Sequence, residues 1–245
     1  MRQVVYVVPC FNEANRLDLR AFESLLGLAP CRLLFVDDGS TDDTRALLSG
    51  FAAANEGRVR VHSLDRNRGK GEAVRVGLSL AQREGAPFVG YADADLATPP
   101  EELARLATIA LDSRADVVMG SRVARAGASI DRRAARHYIG RVFATYASLL
   151  LEARIYDTQC GAKVFRANAR LERALASEFV SRWVFDVEIL ARLLHDAIAP
   201  LPLDRLLEVP LERWTDVGGS KIRATSVPRI ALDILRATVA VKSRR

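Results

Sequence analysis

The stretch FVGYADADLATPPEEL, residues 88–103, decides the fold. Pro87 to Ala92 is a short, nearly apolar run and reads as a buried strand. It stops at Asp93-Ala94-Asp95. Pro99-Pro100-Glu101-Glu102 then opens a helix, with proline at its start and acids in its first turn. A buried strand thus passes into a helix through an acidic turn. Working outward, the same alternation recurs. Val4 to Val8 reads as a strand ended by Pro9, followed by helical spacing from Leu17 to Leu28. Leu33 to Val36 is a second strand, and Thr41 or Asp42 caps a helix through Ala54. Val59 to His62, a helix from Gly71 to Arg83, and a strand from Asp116 to Met119 complete the series. Alternating strands and helices predict an α/β domain, with a mostly parallel sheet flanked by helices on both faces. Ligands bind beyond the carboxyl ends of such strands. Three strand ends here are polar or acidic: Pro9 to Glu13, Asp37 to Ser40, and Asp93 to Asp95. One of them alone is a turn; three at corresponding ends read as one site.

Composition narrows the class. The 245 residues are 49% hydrophobic and 27% charged, with mean hydropathy near zero, which is a globular chain with room for a core. The net charge is +6, and only four of the 36 basic residues are Lys, so the basic surface is built of Arg, which suits phosphate and carboxylate. The three Cys are far apart with no metal-ligand spacing, which argues against structural zinc and for a reducing compartment. The longest apolar run, Val142 to Leu151, is about half of the ~20 residues that a membrane span needs. A soluble or peripheral protein is expected, in the cytoplasm or at the inner face of the membrane.

The second half is less regular. Asp131 to Leu151 reads as a long helix, basic and then apolar. Asp157 to Lys163 reads as a polar turn, Val180 to Leu194 as a helix with an aromatic start, and Glu208 to Ile222 as a loop. Pro228 to Val241 is amphipathic and followed by basic residues. It suits docking on the protein or a second subunit, or lying on an anionic membrane. The expected organisation is one domain over 1–225, with halves 1–120 and 121–225, and a terminal helix and basic tail over 226–245.

Two carboxylates one residue apart, Asp93 and Asp95, can reach one hard cation, and Mg²⁺ or Mn²⁺ so held completes its shell with diphosphate and water. The bland alternative is an Asp-rich turn. A carboxylate in VDDGSTD, residues 36–42, either shapes a strand-to-helix turn or accepts from a nucleoside. RNRGKG, residues 66–71, is neither a P-loop nor a dinucleotide fingerprint, but cations at a helix start hold phosphate. Arg122, Arg125, Arg132, Arg133, Arg136 and Arg141 face one acid, Asp131. They form a solvated face or grip a phosphate. Nucleic acid is a poorer fit, because no aromatic-basic module is present.

Together these segments resemble family 2 glycosyltransferases of the GT-A (Rossmann-like) fold. The matching pieces are VPCFNE at 8–13, VDDGSTDDT at 36–44, RNRGKGEA at 66–73, DADLATPPEEL at 93–103 and GSR at 120–122. DTQCGAKVF at 157–165, RWVFDVEIL at 182–190 and EVPLERWTDVGGSKI at 208–222 are similar to the dolichyl-phosphate β-glucosyltransferase and polyprenyl-phosphate mannose or glucose synthase branch. The resemblance implies a nucleotide-sugar donor of UDP-glucose or GDP-mannose type, a divalent metal, and a lipid-phosphate acceptor. It places Pro9, Asn12, Glu13, Asp37, Asp38, Lys70, Asp93 and Ala94 at the donor. Asp95, with Asp93, would hold the metal. Arg122 and either Arg133 or Arg136 would hold the acceptor phosphate. Inverting displacement at the anomeric carbon is expected. A hydroxyl acceptor would require a general base, for which Asp157 is the first candidate and Asp186 the second. Transfer to a soluble acceptor, nucleotidyl transfer and nucleotide-sugar sensing without turnover are the competing readings.

Overall fold

The computed structural model describes residues 3–131, 147–148, 151–181 and 184–216. A seven-stranded sheet has the order β3-β2-β1-β4-β7-β5-β8. Its strands are β1 (Val4–Cys10), β2 (Cys31–Asp37), β3 (Val59–Ser63), β4 (Phe88–Ala92), β5 (Val117–Ser121), β7 (Ala162–Arg166) and β8 (Leu206–Pro210). All neighbours pair in parallel except β7, which runs antiparallel to both β4 and β5. The small strands β6 (Ser129–Asp131) and β9 (Arg213–Thr215) pair with each other. The helices are α1 (Leu19–Leu28), α2 (Thr44–Ala54), α3 (Lys70–Arg83), α4 (Pro100–Asp112), α5 (Ala169–Leu175) and α6 (Phe185–Leu194).

The helices divide between the two faces. Phe22 and Leu25 of α1, Leu48 of α2, and Leu103 and Leu106 of α4 share one core with Tyr6, Val8 and Phe35. Val74 and Leu78 of α3, Leu171 of α5, and Ile189 and Leu190 of α6 share the other with Val7, Val36 and Tyr91. Contact is close where α3 crosses β1. A Cβ at Gly77 would lie 2.4 Å from Val7 Cγ1, so only glycine lets the helix approach so near. Strand order turns at β1 and β4, the crevice where open α/β sheets receive ligands. No helix among the described residues is long and apolar enough to cross a membrane.

The expected elements of the first half are present, with shifted ends. Neither Thr41 nor Asp42 is the N-cap of α2. That residue is Asp43, and the Asp42 carboxylate instead accepts from the Thr44 N–H and hydroxyl. The second half needs more correction. Asp131 ends a strand and does not begin a helix, because Ser129–Asp131 pairs with Arg213–Thr215 and Ile130 packs on the core. The rest of the expected helix falls mainly outside the described residues. The Val180–Leu194 helix begins only at Phe185. Ahead of it, the Val180 N–H donates to Glu188 and the Val184 N–H to Ser181, so side chains replace a helical turn. Glu208 to Pro210 is strand and not loop, in register with Met119 to Ser121. The Pro228–Val241 helix lies outside the described residues.

Candidate active site

The ends of β1, β2 and β4 meet at the crevice. Pro9 is buried in β1 opposite Val36, and Asp37 pairs in register with Cys10. Asp37 is fully buried; it accepts from the Ser40 N–H at 3.0 Å and pairs with Arg45 at 2.9 Å. Asp38 accepts from the Arg68 and Gly69 N–H groups at 2.7 and 2.8 Å, so its carboxylate brackets the RNRGKG loop. That turn requires Gly39: φ is +69°, and a Cβ would lie 2.5 Å from the Arg66 backbone. Asn12, with φ +53°, ties its amide to Thr41, and its N–H to Ser40. Glu13 is buried and paired with Arg16. These residues therefore build the lip of the crevice largely by fastening its loops to one another. Arg16 had no place in the sequence reading, although three residues after Glu13 it is at ion-pair spacing.

Asp93 and Asp95 leave β4 into the same space. The turn carries Leu96 at φ +49°, and the Ala97 N–H donates to Asp95 Oδ1 at 3.1 Å. Ala94 turns its methyl into the core, leaving its backbone at the crevice. Gly161 makes room for Asp93: a Cβ there would lie 2.2 Å from Asp93 Oδ2. The Gly161 carbonyl also accepts the Asp93 N–H at 3.1 Å. Burial first, and then the Asp93 charge, raise Asp95 above the ordinary carboxylate value; the Ala97 N–H, Lys70 and Arg16 oppose this. A divalent cation relieves both causes, and two hard oxygen donors fit Mg²⁺ or Mn²⁺. No third His, Cys, Asp or Glu among the described residues completes a protein cluster, so diphosphate oxygens and water would fill the remaining positions.

Lys70, at the start of α3, lies 2.6 Å from Asp93 Oδ1 and 5.8 Å from the centre of the Phe185 ring. Burial lowers its pKa, but Asp93 and Asp186 outweigh that, and it is raised overall. Behind it lies a buried polar group. Asp186 accepts from Lys163 Nζ at 2.7 Å and from the Tyr91 hydroxyl. Lys163 is 0% exposed and also donates to the Cys160 carbonyl at 2.7 Å. Burial raises the Cys160 thiol to about 11, with the Asp157 charge second.

A second ion pair flanks this group. Arg122 donates through Nε and Nη2 to the two Asp157 oxygens at 2.6 and 2.7 Å, and through its own N–H at 3.0 Å. The Gln159 N–H adds a fourth donor at 3.3 Å. Burial lowers the Arg122 pKa, but Asp157 outweighs it and raises the guanidinium further into its charged form. Glu208 on β8 accepts the Tyr156 and Asp157 N–H groups, and the Trp214 ring lies 5.3 Å from the guanidinium carbon. Tyr91, Lys163, Glu208 and Trp214 carried no assigned role in the sequence. Lys163 fell in the expected polar turn and Glu208 in the expected loop, so neither stood out as a buried charge. Arg133 and Arg136 lie outside the described residues.

The sequence profile described as "Glycosyl transferase family 2" matches residues 6–171. The chain belongs to glycosyl transferase family 2. It is a hexosyltransferase of GT-A fold, acting on a nucleotide sugar. The chain is 32% identical over 239 residues to the dolichyl-phosphate beta-glucosyltransferase of Mus musculus, covering 90% of this chain and 70% of that one. It is 28% identical to the polyprenol monophosphomannose synthase of Mycolicibacterium smegmatis, covering 92% and 83%. Glucosyl-3-phosphoglycerate synthase from Mycobacterium tuberculosis, solved with Mn²⁺, UDP and glucosyl-3-phosphoglycerate, superposes with TM-score 0.67. At 19% identity, over 99% of this chain and 80% of that one, this likeness speaks to the fold of the glycosyltransferase.

Proposed function

We propose that this glycosyltransferase moves a hexose, with inversion, from a UDP-glucose or GDP-mannose type donor to a polyprenyl-phosphate-like acceptor, with Mg²⁺ or Mn²⁺ on Asp93 and Asp95. One observation carries the acceptor class: Asp157, the first candidate base, already has both oxygens committed. Asp157 meets four donors for its four lone-pair directions, two of them from a guanidinium. Asp186 takes an ammonium and a phenol on one oxygen, Oδ1, and its charge is balanced by the buried Lys163. A hydroxyl nucleophile needs a base poised to take its proton. A phosphate monoester does not, because its second pKa is roughly 6 and it is an anion near neutrality. Its oxygen attacks the anomeric carbon as the bond to the leaving oxygen breaks, and the electron pair departs with the nucleoside diphosphate.

Arg122 suits the acceptor phosphate. Asp157 takes two of its five side-chain N–H donors and fixes the plane of the others. Pro9, Asn12, Glu13, Asp37 and Asp38 form the floor for the nucleotide, and Lys70 faces its diphosphate. When bound, the metal would supply Lewis-acid neutralisation of the leaving diphosphate. The names of the relatives support the same acceptor class, and the positive net charge suits work at an anionic cytoplasmic membrane face.

The test crosses UDP-glucose and GDP-mannose with a short polyprenyl phosphate and with the matching polyprenol, in Mg²⁺ or Mn²⁺. The expected result is metal-dependent release of nucleoside diphosphate and a glycosyl lipid with the phosphate alone, lost in Asp95→Ala. Equal transfer to the alcohol, or turnover only with a soluble acceptor, overturns the acceptor reading. Pyrophosphate release from a nucleoside triphosphate, or donor binding without turnover, overturns the transfer itself.

A further inference from the structure

Asp93 Oδ1 is buried and lacks a hydrogen bond of normal angle, yet the Lys70 ammonium stands 2.6 Å away. The Lys70 ion pair is therefore what meets this buried oxygen. The same oxygen is one that a divalent ion would take, at about 2.0–2.2 Å. Two cations cannot share it at those distances without strong mutual repulsion. Lys70 is not locked in place. Its side chain is 35% exposed and sits on a flexible stem, and the Phe185 ring it already faces at 5.8 Å leaves it room to swing outward. It also opens α3, where backbone N–H groups and the helix dipole draw a diphosphate.

We infer that Lys70 is a tethered counter-cation that holds the metal's place on Asp93 until a nucleoside diphosphate draws it away, so that metal and donor load together. This rests on the reading of Asp93 and Asp95 as metal ligands. A lysine that only contacts diphosphate would leave binding of the metal alone unchanged when neutralised. A lysine that only supports the fold would weaken it. The counter-cation role predicts the opposite sign: neutral variants bind the metal more tightly in the absence of nucleotide.

The experiment titrates Mn²⁺ into the full chain and reads free Mn²⁺ by electron paramagnetic resonance, with and without UDP. It compares wild type, Lys70→Met, Lys70→Gln and Lys70→Arg, each checked for folding by circular dichroism. The expected result without UDP is at least about tenfold tighter Mn²⁺ binding in the neutral variants, and wild-type binding in Lys70→Arg. With UDP the gap should narrow. In an Asp93→Asn background, Lys70→Met should have no effect. If the wild type binds Mn²⁺ with UDP and folded neutral variants bind it no tighter alone, the exchange is wrong and the metal reading stands. If no form binds Mn²⁺ under either condition, the metal reading falls and takes the exchange with it.

Discussion

Single atoms decide several properties of the site. Gly161 is the sharpest case, because a methyl there would occupy the place of the Asp93 carboxylate. Gly161→Ala should leave the sheet intact and weaken UDP binding in Mn²⁺ by at least about tenfold, measured by calorimetry. Cys160 and Cys31 give a pH signature. Burial raises both thiols to about 11. An unfolded thiol loses its proton near about 8.5. Between those values the unfolded chain binds fewer protons than the native one, so stability falls as pH rises. Chemical denaturation from pH 8 to 9 should show that slope, and Cys160→Ala should reduce it, with Cys31 carrying the remainder. Tyr6 and Tyr91, whose pKa values are also raised, add to the slope as the pH nears about 10, where an unfolded phenol ionises.

At the scale of elements, β8 reaches across to the site through Glu208. Its two carboxylate oxygens take two backbone N–H groups at 156 and 157, and so orient Asp157 toward Arg122. Glutamine offers one acceptor where two are needed. Glu208→Gln should raise the acceptor KM a few-fold, as one lost hydrogen bond of about 0.5–1.5 kcal/mol implies, with donor binding unchanged. What the sequence made legible follows from element type. β1, β2 and β4 are unbroken apolar runs with polar stops, so both strand and site end could be read. β7 could not, because Lys163 is its second residue, and its burial is made tolerable by Asp186, from a helix far along the chain, together with the Cys160 carbonyl. β8 alternates weakly around Glu208, and β6 and β9 are three residues each, too short for any period. The acids of the crevice were legible as types at strand ends. Their partners Lys163 and Glu208 were not, since a pair distant in sequence leaves no local pattern, whereas Arg16 stood at i,i+3 spacing from Glu13 and was legible.

The whole molecule sums these pieces around one crevice. Donor and metal that bind only the native state should stabilise it by about 2.7 kcal/mol at one hundred times their dissociation constants. For a chain of this size that is a rise of about 5–10 °C in Tm, to be read by scanning calorimetry and abolished in Asp95→Ala. One connection has a consequence for how the protein is made. The pairings β4–β7 and β5–β7 join strands whose ends are separated by the whole middle of the chain. β4 and β5 share no ladder of their own. A ribosome that has released residues up to 121 has therefore produced β5 with neither neighbour. It must add Ala162–Arg166 before the centre of the sheet can close, and Leu206–Pro210 before the outer edge of β5 is covered. Throughout that interval the nascent chain carries unsatisfied strand edges beside a finished β1–β2–β3 unit, a state that chaperones recognise and that pausing in translation would prolong.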